Sequence, residues 1–120
     1  MPDAPINATE VALGLANLAR KLDTTVKALE SADKAAVEKR HEADLAYSHA
    51  FLQAQGSVDA RKHQAVISTA ALVKDSDVAD AVVRHLRREL DAIKTRIDVG
   101  RSYGAAVRSE IALGQMGMDT

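Results

Sequence analysis

The chain has 120 residues and a mass of 12.8 kDa, which is room for a single domain given the usual size of stable domains. Hydrophobic residues make up 47% of it and charged residues 28%, enough for a core, but only Tyr47, Phe51 and Tyr103 are aromatic. This disfavours a β-sandwich or barrel, which draws heavily on aromatic and β-branched side chains. The absence of cysteine excludes disulfides, thiolate metal sites and cysteine nucleophiles, and a net charge of −1 excludes a globally basic nucleic-acid binder while leaving room for a local basic stripe.

The first ten residues, MPDAPINATE, lack the basic and apolar regions of a secretory signal. No apolar run approaches the ~20 residues that cross a bilayer. A cytoplasmic protein without a membrane segment is therefore expected. Both prolines, Pro2 and Pro5, precede the first helix signal, so nothing downstream carries the strongest helix breaker.

Asn7 with Glu10 three residues later predicts a capped helix start near Ala8. The triplet Asn7-Ala8-Thr9 is formally a glycosylation sequon, but without a secretory signal its capping role is the one expected. Val11, Leu15, Leu18 and Leu22 then recur at helical spacing, and Val26 and Leu29 continue a slightly shifted stripe. Beyond Leu29 the stripe becomes small, with Ala32, Ala36, Ala43, Tyr47, Ala50 and Ala54, while Val37, Leu45 and Leu52 form an offset row.

Gly56-Ser57 is the strong punctuation mark, with Gly suited to a left-handed C′ position and Ser to the next N-cap. So short a connection between two long helical patterns places them antiparallel and adjacent. The predicted organisation is one helical-hairpin domain: a helix over about 8–55, a turn at 56–57, a helix over about 58–113, a candidate break at Lys74-Asp75-Ser76-Asp77, and a frayed tail over 114–120.

The second arm carries the most regular signal. Ala79, Val83, Leu86, Leu90, Ile93, Ile97, Gly100, Gly104, Val107 and Ile111 follow at alternating gaps of four and three. An apolar repeat of 3.5 residues sustained this long implies a coiled-coil seam against one or more partner helices. Apolar residues on more than one row predict self-association, with a dimer favoured and Val83, Leu86, Leu90, Ile93 and Ile97 as its seam. Gly100 and Gly104 form a notch in this ridge. Each glycine costs up to ~1 kcal/mol of helix stability against alanine, so a crossing helix of the same hairpin, or else another subunit or ligand, is expected to use it.

With Val83, Leu90 and Ile97 at heptad position a, the cations Arg87, Lys94, Arg101 and Arg108 all fall at position e, rising ~10 Å per step along the helix. Between residues 81 and 111 seven basic residues, including Arg84, Arg88 and Arg96, face four acidic ones, a local +3, whereas residues 1–57 carry −2. Position-e cations commonly pair with acids on a neighbouring helix. Left unpaired, they could track a phosphate backbone, although the scarcity of aromatics argues against base readout.

Catalytic and metal chemistry find little support. Glu38-x-x-His41 has the spacing of carboxylate-bridged di-metal bundles, but His49, His63 and His85 supply no second copy. No Gly-x-Ser-x-Gly elbow or phosphate-binding glycine loop is present. Neither a metal, nor a cofactor, nor an enzymatic activity is expected.

The stretches YSHAFLQAQGSVDARKHQA and VRHLRRELDAIKTRIDVGRSYGAAVRSEIALG resemble a group of small all-helical, largely uncharacterised proteins of actinobacterial tailed phages and prophages. The likeness rests on a Gly-Ser-x-x-x-Arg turn, matched by Gly56, Ser57 and Arg61, and on a segment matched by Leu86, Arg87, Leu90, Ile93, Lys94, Thr95, Ile97, Asp98, Arg101 and Ser102. It covers about residues 43–114. It implies a phage origin, a hairpin fold and, by analogy with neighbouring genes, a role in DNA metabolism. The expected function is a non-enzymatic phage accessory protein that binds DNA or a DNA-replication or recombination protein through the face bearing Arg84, Arg87, Arg88, Lys94, Arg101 and Arg108. The alternatives are a module that binds and modulates a host protein, using the Gly100–Gly104 notch, and a structural virion component.

Overall fold

The computed structural model describes residues 7–118. These residues form two helices, α1 (Ala8–Gln53) and α2 (Val58–Met118), and no strand. The fold is the all-α helical hairpin that the composition and the turn signal predict. None of the described helices is long and apolar enough to cross a membrane.

Local chemistry sets the boundaries. At the start of α1 the Glu10 N–H donates to Asn7 Oδ1 at 2.8 Å, satisfying one of the amides that a helix N-terminus leaves orphaned. Ala54 closes α1 with a tight N–H bond to the Phe51 carbonyl at 3.3 Å, so the helix ends two residues before the predicted Gln55. Gly56 turns the chain at φ +104°, a left-handed backbone that suits a residue without Cβ. Ser57 Oγ then caps α2 by accepting from the Ala60 N–H at 3.2 Å. Two side chains of α2 reach back to lock the turn: Arg61 Nε donates to the Gly56 carbonyl at 3.1 Å, and Gln64 Nε2 donates to the Gln55 carbonyl at 2.9 Å.

Two expectations for α2 are corrected. The candidate break at residues 74–77 does not occur, because Ser76 faces the seam at 6% exposure while Lys74, Asp75 and Asp77 point outward, so the segment keeps heptad register. The tail expected to fray from Gly114 continues as helix to Met118, since no proline or left-handed glycine stops it; residues 119 and 120 lie outside the described residues.

The chain divides into two compact units, each built from a piece of both helices, where the sequence predicts one hairpin domain. Unit 1 combines Met1–Val26 with Arg88–Thr120, and unit 2 is Lys27–Arg87.

In unit 2 the helices run antiparallel, as two cross-helix ion pairs require: Arg40 meets Asp80, and Asp33 meets Arg87, so that advance along α1 is retreat along α2. Its seam is made of small side chains. Ala36 and Ala43 of α1 and Ala65, Thr69, Ser76 and Val83 of α2 are buried. Thr69 keeps its hydroxyl satisfied by donating to the Ala65 carbonyl at 2.7 Å. The offset row Val37, Leu45 and Leu52 stays exposed at 60%, 49% and 76%.

Unit 1 pairs large with small. Val11, Leu15, Leu18 and Leu22 are half-buried along α1 and Thr25 is buried, against Leu90, Ile93, Ile97, Gly100, Gly104 and Val107 of α2. Ile93 is wholly enclosed and is the largest side chain so placed, a burial worth about 1.5–3 kcal/mol. Thr25, not Val26, continues the seam: Val26 sits one step round the helix at 37% exposure. Ile111, expected to end the ridge, is 48% exposed. The residues expected to form an oligomer seam are also reassigned. Val83 and Ile93 are buried, and Leu86, Leu90 and Ile97 half-buried, within a single chain, because α1 of the same hairpin already covers them.

Candidate functional site

The glycine notch belongs to the fold. A Cβ added at Gly100 would stand 2.8 Å from Leu15 Cδ2, and one at Gly104 would stand 3.2 Å from Val11 Cγ1. The two α1 side chains therefore fill the space that the missing Cβ atoms leave, which explains two glycines inside a helix interior despite their propensity cost.

The six cations singled out by sequence are all exposed, but they do not share one environment. Arg87 is paired across unit 2 with Asp33, Nη2 to Oδ1 at 3.5 Å. It shares a crevice with Arg40, Asp80 and Arg84, in which Arg40 Nη2 donates to Asp80 Oδ1 at 2.7 Å. Its two cross-helix pairs alternate in sign, since a cation of each helix meets an acid of the other. Arg84 and Arg88 are each engaged in interactions of their own.

Lys94, Arg101 and Arg108, all in unit 1, have no ion-pair partner among the described residues. Arg101 and Arg108 border a crevice of about 190 Å³ whose α1 wall is Ala8, Val11, Ala12 and Leu15, with Gly104 as its floor on α2. The Arg108 guanidinium lies over that glycine, with Nη1 at 3.6 Å from the position of an added Cβ. The crevice thus presents two guanidiniums, an apolar wall and no carboxylate. A planar, permanently charged donor group is suited to phosphate or carboxylate oxygens. A cross-helix pair of unit 1 lies elsewhere, between Lys21 and Glu89 at 3.9 Å.

Heptad spacing alone groups Arg87 with the three free cations, because it carries no cross-helix register. The cross-helix pairs supply that register: Asp33 meets Arg87 and Arg40 meets Asp80. Arg61, in sequence only one position of a motif, has a physical role as the donor that closes the turn.

Among the described residues no group of three or more His, Asp or Glu is placed to hold a metal ion, and Glu38 and His41 both lie on the exposed face of α1. Compared with known proteins, the chain matches no family model, no curated protein and no solved structure.

Proposed function

We propose that this chain is a non-enzymatic accessory protein of the actinobacterial-phage type that it resembles, acting in the host cytoplasm by binding DNA through Lys94, Arg101 and Arg108. The observation that carries the reading is the uncompensated charge of Arg101 and Arg108 at a crevice without a carboxylate. In unit 2 the equivalent cation, Arg87, is paired with Asp33. Cations one heptad apart, ~10 Å along the helix, can each meet a phosphate of a nucleic-acid backbone, and such interactions carry affinity without reading sequence. Without aromatic side chains at the flank to stack bases, duplex rather than single-stranded DNA is the ligand that this surface suits.

The host-protein alternative rests on the Gly100–Gly104 notch, against which Val11 and Leu15 of the same chain pack.

The test is binding of labelled duplex and single-stranded DNA over a salt series. The expected result is duplex binding that weakens steeply with salt, and a double variant, Arg101→Gln with Arg108→Gln, whose log–log salt slope is shallower by about 2, roughly 0.9 for each phosphate no longer neutralised. Unchanged DNA mobility at low salt would reject the reading.

A further inference from the structure

Among the apolar residues that unit 2 leaves exposed, one group lines a groove, and its residue order shows what fits it. Between α1 and α2 a groove of about 490 Å³ is lined by Tyr47, Val66, Ala70 and Val73, with Lys74 and Asp77 at its edge. Val66 and Val73 are 56% and 43% exposed. Tyr47 and Phe51, four residues apart on α1 and therefore on one face, are both only half-buried. Two of the three aromatic residues of the chain thus stand on this flank, and aromatic side chains are enriched where protein surfaces meet. The exposed Arg40–Asp80 pair bounds the patch on the side away from the turn.

Along this flank α2 reads His63, Val66, Ala70, Val73, Asp77, at alternating gaps of three and four, so these five residues share one stripe. The stripe is nearly symmetric about Ala70. Valines lie four residues before and three after it, and His63 and Asp77 lie seven residues to either side.

We propose that a second copy of this chain docks here, antiparallel, with a two-fold axis passing at Ala70. A two-fold interface uses the same patch on both copies, so it must be complementary to itself. This stripe is. Turned end over end about Ala70, it sets Val66 against Val73 of the second copy and His63 against Asp77 of the second copy, and each pairing occurs twice. The small Ala70 lets the two helices approach at the axis, and Tyr47 and Phe51 of each copy cover the flanks. The result is a four-helix bundle formed by unit 2 and its counterpart. The seam proper, from Ala65 to Val83, takes no part, because it is closed within each chain. An unrelated partner would give no reason for valines at nearly equal distances, and His63 and Asp77 at equal ones, on either side of one alanine.

The experiment measures molar mass by light scattering on the full chain without nucleic acid, which keeps its outcome independent of DNA binding. The expected mass is twice the 12.8 kDa of one chain, and Ala70→Glu, which brings two carboxylates together at the axis, should halve it while circular dichroism stays helical. Because the native chain has no cysteine, Ala70→Cys and Val78→Cys give a second readout through a short thiol-specific crosslinker: Ala70→Cys should yield covalent dimer, and Val78→Cys, on the opposite flank of α2, should not. A wild-type mass of one chain at every concentration, a dimer that survives Ala70→Glu, or crosslinking through position 78 in place of 70 would overturn the proposal.

Discussion

The two units are built from the same two helices yet solve packing and charge differently. Unit 1 sets leucines of α1 into glycines of α2, so its interface is a fit of bulk into gaps: Leu15 at Gly100, Val11 at Gly104, Ile93 wholly enclosed. Unit 2 has little bulk to place and closes alanine, threonine and serine positions along a narrow seam. The charges follow suit. Unit 2 exchanges opposite signs between its helices at Arg40–Asp80 and Asp33–Arg87, whereas unit 1 leaves Arg101 and Arg108 facing alanines. A heptad repeat can therefore fix which residues meet without fixing what the flanks are for: one flank contributes cross-helix pairing and the other is left with charge to spare.

Substitutions can break this contrast, in descending order of effect. Ile93→Ala should be the most damaging, lowering unfolding free energy by about 2–5 kcal/mol in denaturant titration, because a fully enclosed side chain is removed and its neighbours cannot collapse into the gap. A smaller effect at Ile93 than at Val83 would mean that unit 1 is the looser of the two.

Gly100→Leu comes next, at about 1–3 kcal/mol through overpacking against Leu15. Its counterpart Gly14→Ala, with nothing within 4 Å of the added Cβ, should instead stabilise by about 0.5–1 kcal/mol. The opposite signs of two glycine replacements, read by thermal melting, separate a packing glycine from a tolerated one.

A double-mutant cycle on Arg40 and Asp80 should return a coupling of about 0.2–1 kcal/mol, the usual range for exposed pairs, and it should shrink with added salt. Smallest of all, Arg101→Gln should leave stability within about 0.5 kcal/mol of wild type, since the side chain has no intramolecular ion pair to give up. A larger change would show that Arg101 serves the fold and would remove it from the candidate site.

Much of this was legible in the sequence, and the exceptions have physical causes. Apolar periodicity is a signal of side-chain chemistry, and it located the ridge from Ala79 to Val107 and the stripe from Val11 to Leu22. It missed the seam where burial depends on size instead. Thr25, Thr69 and Ser76 are buried because they are small and can satisfy a hydroxyl on their own helix, as Thr69 does with Ala65. The same weakness made Asp75-Ser76 look like a break and Val26 look like core. Ile111 continued the pattern in letters but not in space, since a periodic residue is buried only where a partner helix runs opposite. For the site, the row of cations was visible from spacing. Dividing it into a paired Arg87 and free Lys94, Arg101 and Arg108 needed the cross-helix contacts themselves, which spacing along one helix does not carry.

That turn has a consequence for the order in which the molecule assembles. Unit 2 joins residues no more than 60 apart along the chain, whereas every cross-helix pairing of unit 1 joins residues at least 62 apart. Closing a longer loop carries a larger entropic penalty, and local pairings set fast folding rates. Folding is therefore expected to zip outward from the left-handed glycine, clasped by Arg61, and to complete the cationic crevice last. A substitution at Gly56 would register first as slower refolding, before any effect on the finished surface.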